Sequence, residues 1–230
     1  MTTLGENLES VRKRIAAACT AAGRDPQQVT LLAVSKTVHA PTLAQAVAAG
    51  QTAFGENYIQ EALDKMRLLQ ALPIQWHCIG PIQSNKTRLV AEHFAWVHSL
   101  DRLKIAQRLS EQRPAQLEPL QVCLQVNVDQ AASKGGVMPD EALALAREIA
   151  RLPRLRLRGL MTIPEPAVDF ASACVVHART RSLWEALRRD GLDLDTLSMG
   201  MSADLEAAVH CGSTLVRVGS AIFGARQPRV

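Results

Sequence analysis

The sequence predicts one (β/α)8 barrel of the TIM type over residues 1–230, with an additional N-terminal helix. Eight short apolar runs alternate along the chain with segments of helical pattern. The runs are continuously apolar, as is typical of parallel strands that are buried on both faces. The length of 230 residues, without a linker-like tract, suits a single domain. A doubly wound open sheet is the alternative architecture.

The first helix is predicted from Leu4 to about Ala22. Its apolar residues recur at spacings of three and four and form one stripe toward the core, namely Leu4, Leu8, Val11, Ile15 and Ala18. Gly23 supplies a C-terminal stop, and Pro26 prevents the helix from resuming.

Strands and helices then alternate to the end of the chain. The apolar runs predict strands at Leu31–Ser35, Ala53–Gly55, Gln75–Ile79, Trp96–Leu100, Val122–Val128, Leu157–Ile163, Thr196–Met199 and Leu215–Val218. The segments between them predict helices at Pro41–Ala49, Tyr58–Leu72, Asn85–His93, Leu103–Gln112, Pro139–Arg151, Val168–Asp190 and Ala203–His210. Because only Gly224 to Val230 remain, we expect no eighth helix after the last strand, and the N-terminal helix to fill its place.

Composition narrows the class of function. Aromatic residues make up only 3% of the chain, which leaves few rings for bases to stack on. The net charge of +4 is spread along the chain, and its densest basic group alternates with leucines in residues 151–158. We therefore expect no nucleic-acid partner.

Cysteine and histidine usage predicts the compartment. The five cysteines form no CxxC pair, and the histidines lack metal-ligand spacing. There is no signal-peptide pattern and no run of about 18 apolar residues. We expect free thiols, a cytoplasmic protein, no membrane contact and no metal.

Polar residues collect where the predicted strands end. In parallel barrels, the side chains that do chemistry lie at the C-terminal ends of the strands. Strands one and eight are neighbours in a closed barrel, so Lys36 after the first strand and Arg217 near the end of the last are expected to lie side by side. The remaining candidate site residues at strand ends are Asn57, Ser202, Gly219 and Ser220.

Lys36 is the candidate nucleophile. A lysine has an ordinary pKa of about 10.4, and burial or a nearby cation lowers it toward the neutral amine that forms imines. The alternative is a solvated lysine at a strand end.

The segments after strands seven and eight predict a phosphate site. Gly219-Ser220 follows the last strand, and Gly200 to Asp204 leads into a helix, where backbone N–H groups can hold an anion. The alternative is a helix simply capped by Ser202, with Asp204 at its positive end. Similarly, Arg217 is either half of a structural ion pair or the donor to a pyridine nitrogen. An amine, a permanent cation and a phosphate cradle together suit pyridoxal 5'-phosphate (PLP).

Several linked motifs also resemble one family, the pyridoxal phosphate homeostasis proteins. The resemblance covers nearly the whole chain and rests on Ala33-Val34-Ser35-Lys36, Phe54-Gly55-Glu56-Asn57-Tyr58, Trp76-His77, Gln83-Ser84-Asn85-Lys86, Gln125-Val126-Asn127, Gly159-Leu160-Met161, Leu197-Ser198-Met199-Gly200-Met201-Ser202 and the Arg217 segment. It implies a barrel similar to the N-terminal domain of alanine racemase.

The resemblance also implies roles for the site residues. It implies PLP as a Schiff base on Lys36, Arg217 at the pyridine nitrogen, and Asn57 beside the ring. Phosphate contacts would come from Ser202, Gly219 and Ser220. Ser220 stands where threonine is common and keeps the hydroxyl, while residues 130–133 before Lys134 are more apolar than the family pattern.

Three functions fit these residues. The first is a non-enzymatic PLP carrier that buffers or delivers the cofactor, with PLP-dependent apoenzymes as recipients and effects on amino-acid and keto-acid balance. The second is a weak amino-acid racemase, although the one tyrosine of the chain, Tyr58, adjoins Asn57 and we expect no further domain to bring another. The third is a Schiff-base aldolase without PLP. We expect the carrier, acting as a monomer.

Overall fold

Eight parallel strands close into a barrel in the computed structural model, which describes residues 2–224. The strands are β1 (Thr30–Val34), β2 (Ala53–Glu56), β3 (Gln75–Cys78), β4 (Trp96–Leu100), β5 (Leu120–Gln125), β6 (Leu155–Met161), β7 (Thr196–Ser198) and β8 (Leu215–Val218). Each pairs in parallel with the next, and β8 pairs with β1. The predicted (β/α)8 barrel is confirmed, and the open sheet is excluded.

Helices connect the strands. They are α1 (Leu4–Ala21), α2 (Ala40–Ala48), α3 (Ile59–Leu68), α4 (Thr87–His93), α5 (Leu103–Gln112), α6 (Ala142–Ala150), α7 (Phe170–Arg189), α8 (Leu205–His210) and α9 (Ser220–Phe223). The helix predicted to reach Leu72 ends at Leu68; Pro73 disfavours helical backbone at Leu72 but does not account for the earlier end. The short α9 lies directly after β8, where no helix was expected.

The N-terminal helix fills the place that was predicted for it. A capping box between Thr3 and Glu6 begins α1, and its buried face packs against α2, α8 and α9. That face consists of Leu8, Val11, Ile15, Ala18 and Cys19. Consequently α1 lies beside the loops that follow β7 and β8.

The densest basic segment makes contacts within the protein. Arg158 pairs with Asp195, and Arg154 donates to the carbonyl oxygens of Ser110 and Glu111. Within residues 2–224, no helix combines the length and apolar character needed to cross a bilayer.

Candidate functional site

Lys36 and Arg217 lie at the same end of neighbouring strands. In the pairing of β1 with β8, Leu32 is opposite Arg217 and Ala33 is opposite Val218. Lys36 follows the last residue of β1 by two positions and is half-buried, whereas Arg217 is buried. Gly219 follows β8 directly. The structure therefore brings Lys36, Arg217 and the glycine turn to the same end of two neighbouring strands.

A buried lysine lies beneath the segment that carries Lys36. The Nζ of Lys65 on α3 donates to the carbonyl oxygen of Ser35, to Oε1 of Glu56 and to Oε1 of Glu61, each at 2.7 Å. An ammonium group has three N–H donors, so these contacts use all of them. We therefore expect Lys36, and not Lys65, to supply the nucleophile at this edge.

The same network fixes the backbone next to Lys36. Thr37 has φ of 66°, a left-handed conformation that is unfavourable for a β-branched residue. Its N–H donates to Oε1 of Glu61 at 2.6 Å, and Lys65 holds that carboxylate in turn. Glu61 and Lys65 therefore help determine where the chain leaves β1 and, with it, the position of Lys36.

Glu56 is the buried anion of this network. Its Oε1 accepts from the Ser35 hydroxyl at 2.6 Å and from Lys65, while its Oε2 is buried without a hydrogen-bond partner among the described residues. Burial raises the pKa of Glu56, and the neighbouring Lys65 opposes that shift. The charge of Lys65 therefore offsets part of the cost of burying the Glu56 carboxylate.

Arg217 is held by neutral groups. Its Nη1 donates to the carbonyl oxygen and to Oγ of Ser198 at 2.6 and 2.8 Å, and its Nη2 donates to the carbonyl oxygen of Thr162 at 2.7 Å. None of these acceptors is a carboxylate, so they do not form the structural ion pair considered as an alternative. Burial lowers the pKa of Arg217 to about 10, which still leaves it protonated at neutral pH. Three of its five N–H groups are used by the described residues, and the other two can donate to a ligand.

The loop after β7 differs from its predicted capping. Asp204, not Ser202, is the N-cap residue of α8. The Asp204 carboxylate accepts from the N–H of Met201 at 2.6 Å and contacts Nε2 of His177 at 3.0 Å, and these contacts stabilise the turn. The half-buried Ser202 is thereby released from the capping role.

Gly200 lets this loop approach the barrel. Its φ is 92°, and a Cβ there would lie 2.4 Å from Cβ of Ala208 on α8. A side chain at position 200 would push the loop away from its helix.

The N-terminal helix braces both candidate phosphate elements. Arg14 donates to the carbonyl oxygen of Ser202 at 3.0 Å and pairs with Glu206 at 2.8 Å. Asn7 donates to the carbonyl oxygen of Ile222 on α9 at 3.0 Å. Thus α1 ties the Ser202 loop and the α9 turn, which begins with the exposed Ser220, to one rigid element.

Asn57 lies at the same edge, directly after β2 and half-buried. Its backbone oxygen passes so close to Gly80 that a Cβ at position 80 would lie 2.3 Å from it. Its predicted contact with a cofactor ring remains a prediction. In residues 2–224, no group of three or more His, Cys, Asp and Glu side chains is arranged to hold a metal.

Known proteins share this architecture. The sequence model of the family described as alanine racemase, N-terminal domain, matches residues 7–227. A pyridoxal phosphate homeostasis protein of Pseudomonas aeruginosa is 61% identical over 98% of this chain and 97% of its own length. The protein of that name from Escherichia coli K12 is 52% identical over 98% of both chains.

A solved structure shares the fold and is similar in sequence. PipY of Synechococcus elongatus PCC7942, with PLP bound, superposes with a TM-score of 0.84 and 36% identity, over 96% of this chain and all of PipY. The chain therefore belongs to the family of pyridoxal phosphate homeostasis proteins, which share the alanine racemase N-terminal fold.

Proposed function

We propose that this chain binds PLP as a Schiff base on Lys36 and serves PLP homeostasis by buffering or delivering the cofactor. The observation that carries the proposal is the pairing of β1 with β8, which brings Lys36 beside Arg217 and Gly219. The names of the relatives and the PLP bound to PipY support the same ligand.

The residues present fit PLP by their donor chemistry. Arg217 has two N–H groups without a partner among the described residues, and one of them can donate to the pyridine nitrogen. Gly219, Ser202 and Ser220 supply backbone and hydroxyl donors for the phosphate, and Asn57 an amide beside the ring. The Thr162 hydroxyl, on the residue whose carbonyl accepts from Arg217, is buried without a partner among the described residues, so one more polar group is available.

The covalent step belongs to Lys36. Its neutral amine attacks the aldehyde carbon of PLP, a C=N bond replaces the C=O bond, and the aldehyde oxygen leaves as water. When bound, PLP supplies an electron sink for amino-acid chemistry. A guanidinium donor that retains its proton keeps the pyridine nitrogen unprotonated, which weakens that sink.

This electronic restraint favours a carrier over an enzyme. Racemisation by two bases needs a second proton donor opposite the lysine, and the one tyrosine of the chain, Tyr58, is 46% exposed next to Asn57. We further propose that PLP-dependent apoenzymes receive the cofactor and that the protein acts as a monomer. Chiral analysis of several amino acids tests the racemase alternative, since a turnover comparable to that of dedicated racemases would contradict the carrier function.

Absorption spectroscopy tests the proposal as a whole. The purified protein, incubated with PLP and freed of excess cofactor by gel filtration, is expected to keep a visible band and to pass PLP to an apoenzyme, measured by recovered activity. A colourless protein after this treatment would contradict PLP binding. A Schiff-base aldolase without PLP predicts that colourless result.

The brace from α1 gives a further prediction. We expect Arg14→Ala to weaken PLP affinity by about threefold to tenfold, because the Ser202 loop loses a charge-assisted hydrogen bond. Affinity for pyridoxal, which lacks the phosphate, should change little. The matched control is Arg12→Ala on the same helix, since Arg12 donates to the carbonyl oxygen of Ala49 at 3.0 Å. Equal losses for the two variants, or for the two ligands, would contradict the brace.

A further inference from the structure

A relay of hydrogen bonds extends from Arg217 through the barrel interior. It consists of Ser198, His98, His77 and Gln75. Oγ of Ser198, which accepts from Arg217, lies 2.8 Å from Nδ1 of His98. Nε2 of His98 lies 2.9 Å from Nδ1 of His77, and Nε2 of His77 lies 3.0 Å from Oε1 of Gln75. Gln75 begins β3, so the relay extends from the candidate site to the opposite end of the barrel.

Both histidines of the relay are neutral. They are at most 1% exposed, and His77 stacks on Trp96 with ring centroids 5.4 Å apart and an interplanar angle of 5°. Burial lowers the pKa of His77 to about 3 and that of His98 well below its ordinary value. Each ring therefore has one N–H donor and one acceptor nitrogen.

With the Gln75 amide oxygen facing His77, the hydrogen bonds of this relay run in one direction. Oε1 of Gln75 can only accept, so His77 carries its proton on Nε2 and accepts at Nδ1. His98 must then carry its proton on Nε2, and its Nδ1 accepts from the Ser198 hydroxyl. The other end of the relay is compatible with the same direction. Arg217 can only donate to Oγ of Ser198, which leaves the Ser198 hydroxyl proton available to Nδ1 of His98.

We propose that Ser198, His98 and His77 are positioning residues that orient Arg217 toward the pyridine nitrogen of PLP without neutralising its charge. The inference rests on the proposed function for the identity of the ligand. Ser198 accepts at two atoms from Nη1 and Thr162 accepts from Nη2, so Nε–H and one Nη2–H have no partner among the described residues. A carboxylate in place of Ser198 and His98 would orient the group equally well but would compensate its charge. The neutral relay instead fixes the direction of the Arg217 guanidinium group and leaves its charge uncompensated.

Nitrogen NMR of the cofactor-free protein tests the relay apart from PLP. The 15N shifts of His77 and His98 at pH 7 should show neutral rings protonated on Nε2. An imidazolium signal, or protonation on Nδ1, would overturn the proposed direction. Because this measurement uses the wild-type protein, it does not depend on the folding of a variant.

Cofactor titration of variants tests the effect on the site. Ser198→Ala and His98→Leu should each weaken PLP affinity by about tenfold, the cost of losing one buried hydrogen-bond partner, and shift the absorption maximum of bound PLP. The control Ser110→Ala also removes a buried hydroxyl group, here on α5, and it should leave both readouts unchanged. If wild-type protein binds PLP and the relay variants match the control, the relay has no positioning role. If wild-type protein binds no PLP, the proposed function has failed, whereas the NMR result still stands.

Discussion

Replacing Lys36 with alanine is expected to abolish the visible absorption band of the PLP-loaded protein. Without the amine no C=N bond can form, so PLP is held only by its phosphate and pyridine contacts and is lost on gel filtration. We expect PLP affinity to fall by at least about a hundredfold, because the covalent bond is what retains the cofactor. Absorption spectra before and after gel filtration measure both effects.

The control for this variant is another lysine. Lys13 lies on α1 with its side chain 76% exposed and pairs with Glu9 at 3.7 Å. Lys13→Ala should keep the full band and the wild-type affinity. A Lys36→Ala protein whose band persists would show that another group holds PLP, and the proposed linkage would be wrong.

Replacing Lys65 with methionine is expected to destabilise the fold by about 3–5 kcal/mol, since it strands buried carboxylate charge. The Lys65 and Glu56 side chains are 7% and 0% exposed, so water cannot replace the lost partner. Glu61 also loses its contact, and its hold on Thr37 weakens. Urea denaturation measures the loss of stability.

An exposed pair on the same helix provides the control. Arg67 and Asp64 on α3 have side chains 73% and 59% exposed, so Arg67→Ala should cost less than about 1 kcal/mol. Equal losses in the two variants would contradict the role of Lys65 as the buried counter-ion.

The Lys65→Met defect should depend on pH. Burial already raises the pKa of Glu56, and removing Lys65 removes the charge that opposes this rise. A carboxyl group with a higher pKa in the folded state gains a proton on folding, so folding becomes more favourable as pH falls. The stability lost in the variant should therefore be smaller at pH 5 than at pH 8. A loss independent of pH would mean that Glu56 is not the stranded charge.

The sequence predicts closure of the barrel well. Predominantly apolar runs such as Leu31–Ser35 and Leu215–Val218 predict buried parallel strands, and closure makes the first and last strands neighbours. The proximity of Lys36 and Arg217 follows from topology alone, without any side-chain detail.

The groups that support the site are harder to predict. Glu61 and Lys65 have the i,i+4 spacing of an ordinary surface pair, and only folding brings Ser35 and Glu56 to the same ammonium. His98 lies 100 residues from Ser198 in sequence, so no local pattern joins them. Local rules also misassigned the α8 cap, because both Ser202 and Asp204 are suitable residues and the contact of Asp204 with His177 decides between them.

Borohydride reduction of the PLP-loaded protein, followed by peptide mass spectrometry, tests the central claim most directly. Reduction converts a C=N linkage into a stable bond and leaves the phosphopyridoxyl group on the residue that formed it. We predict modification of Lys36 and none of Lys65, whose three donors are already engaged. A phosphopyridoxyl group on Lys65 or another lysine, or on no residue, would contradict the account.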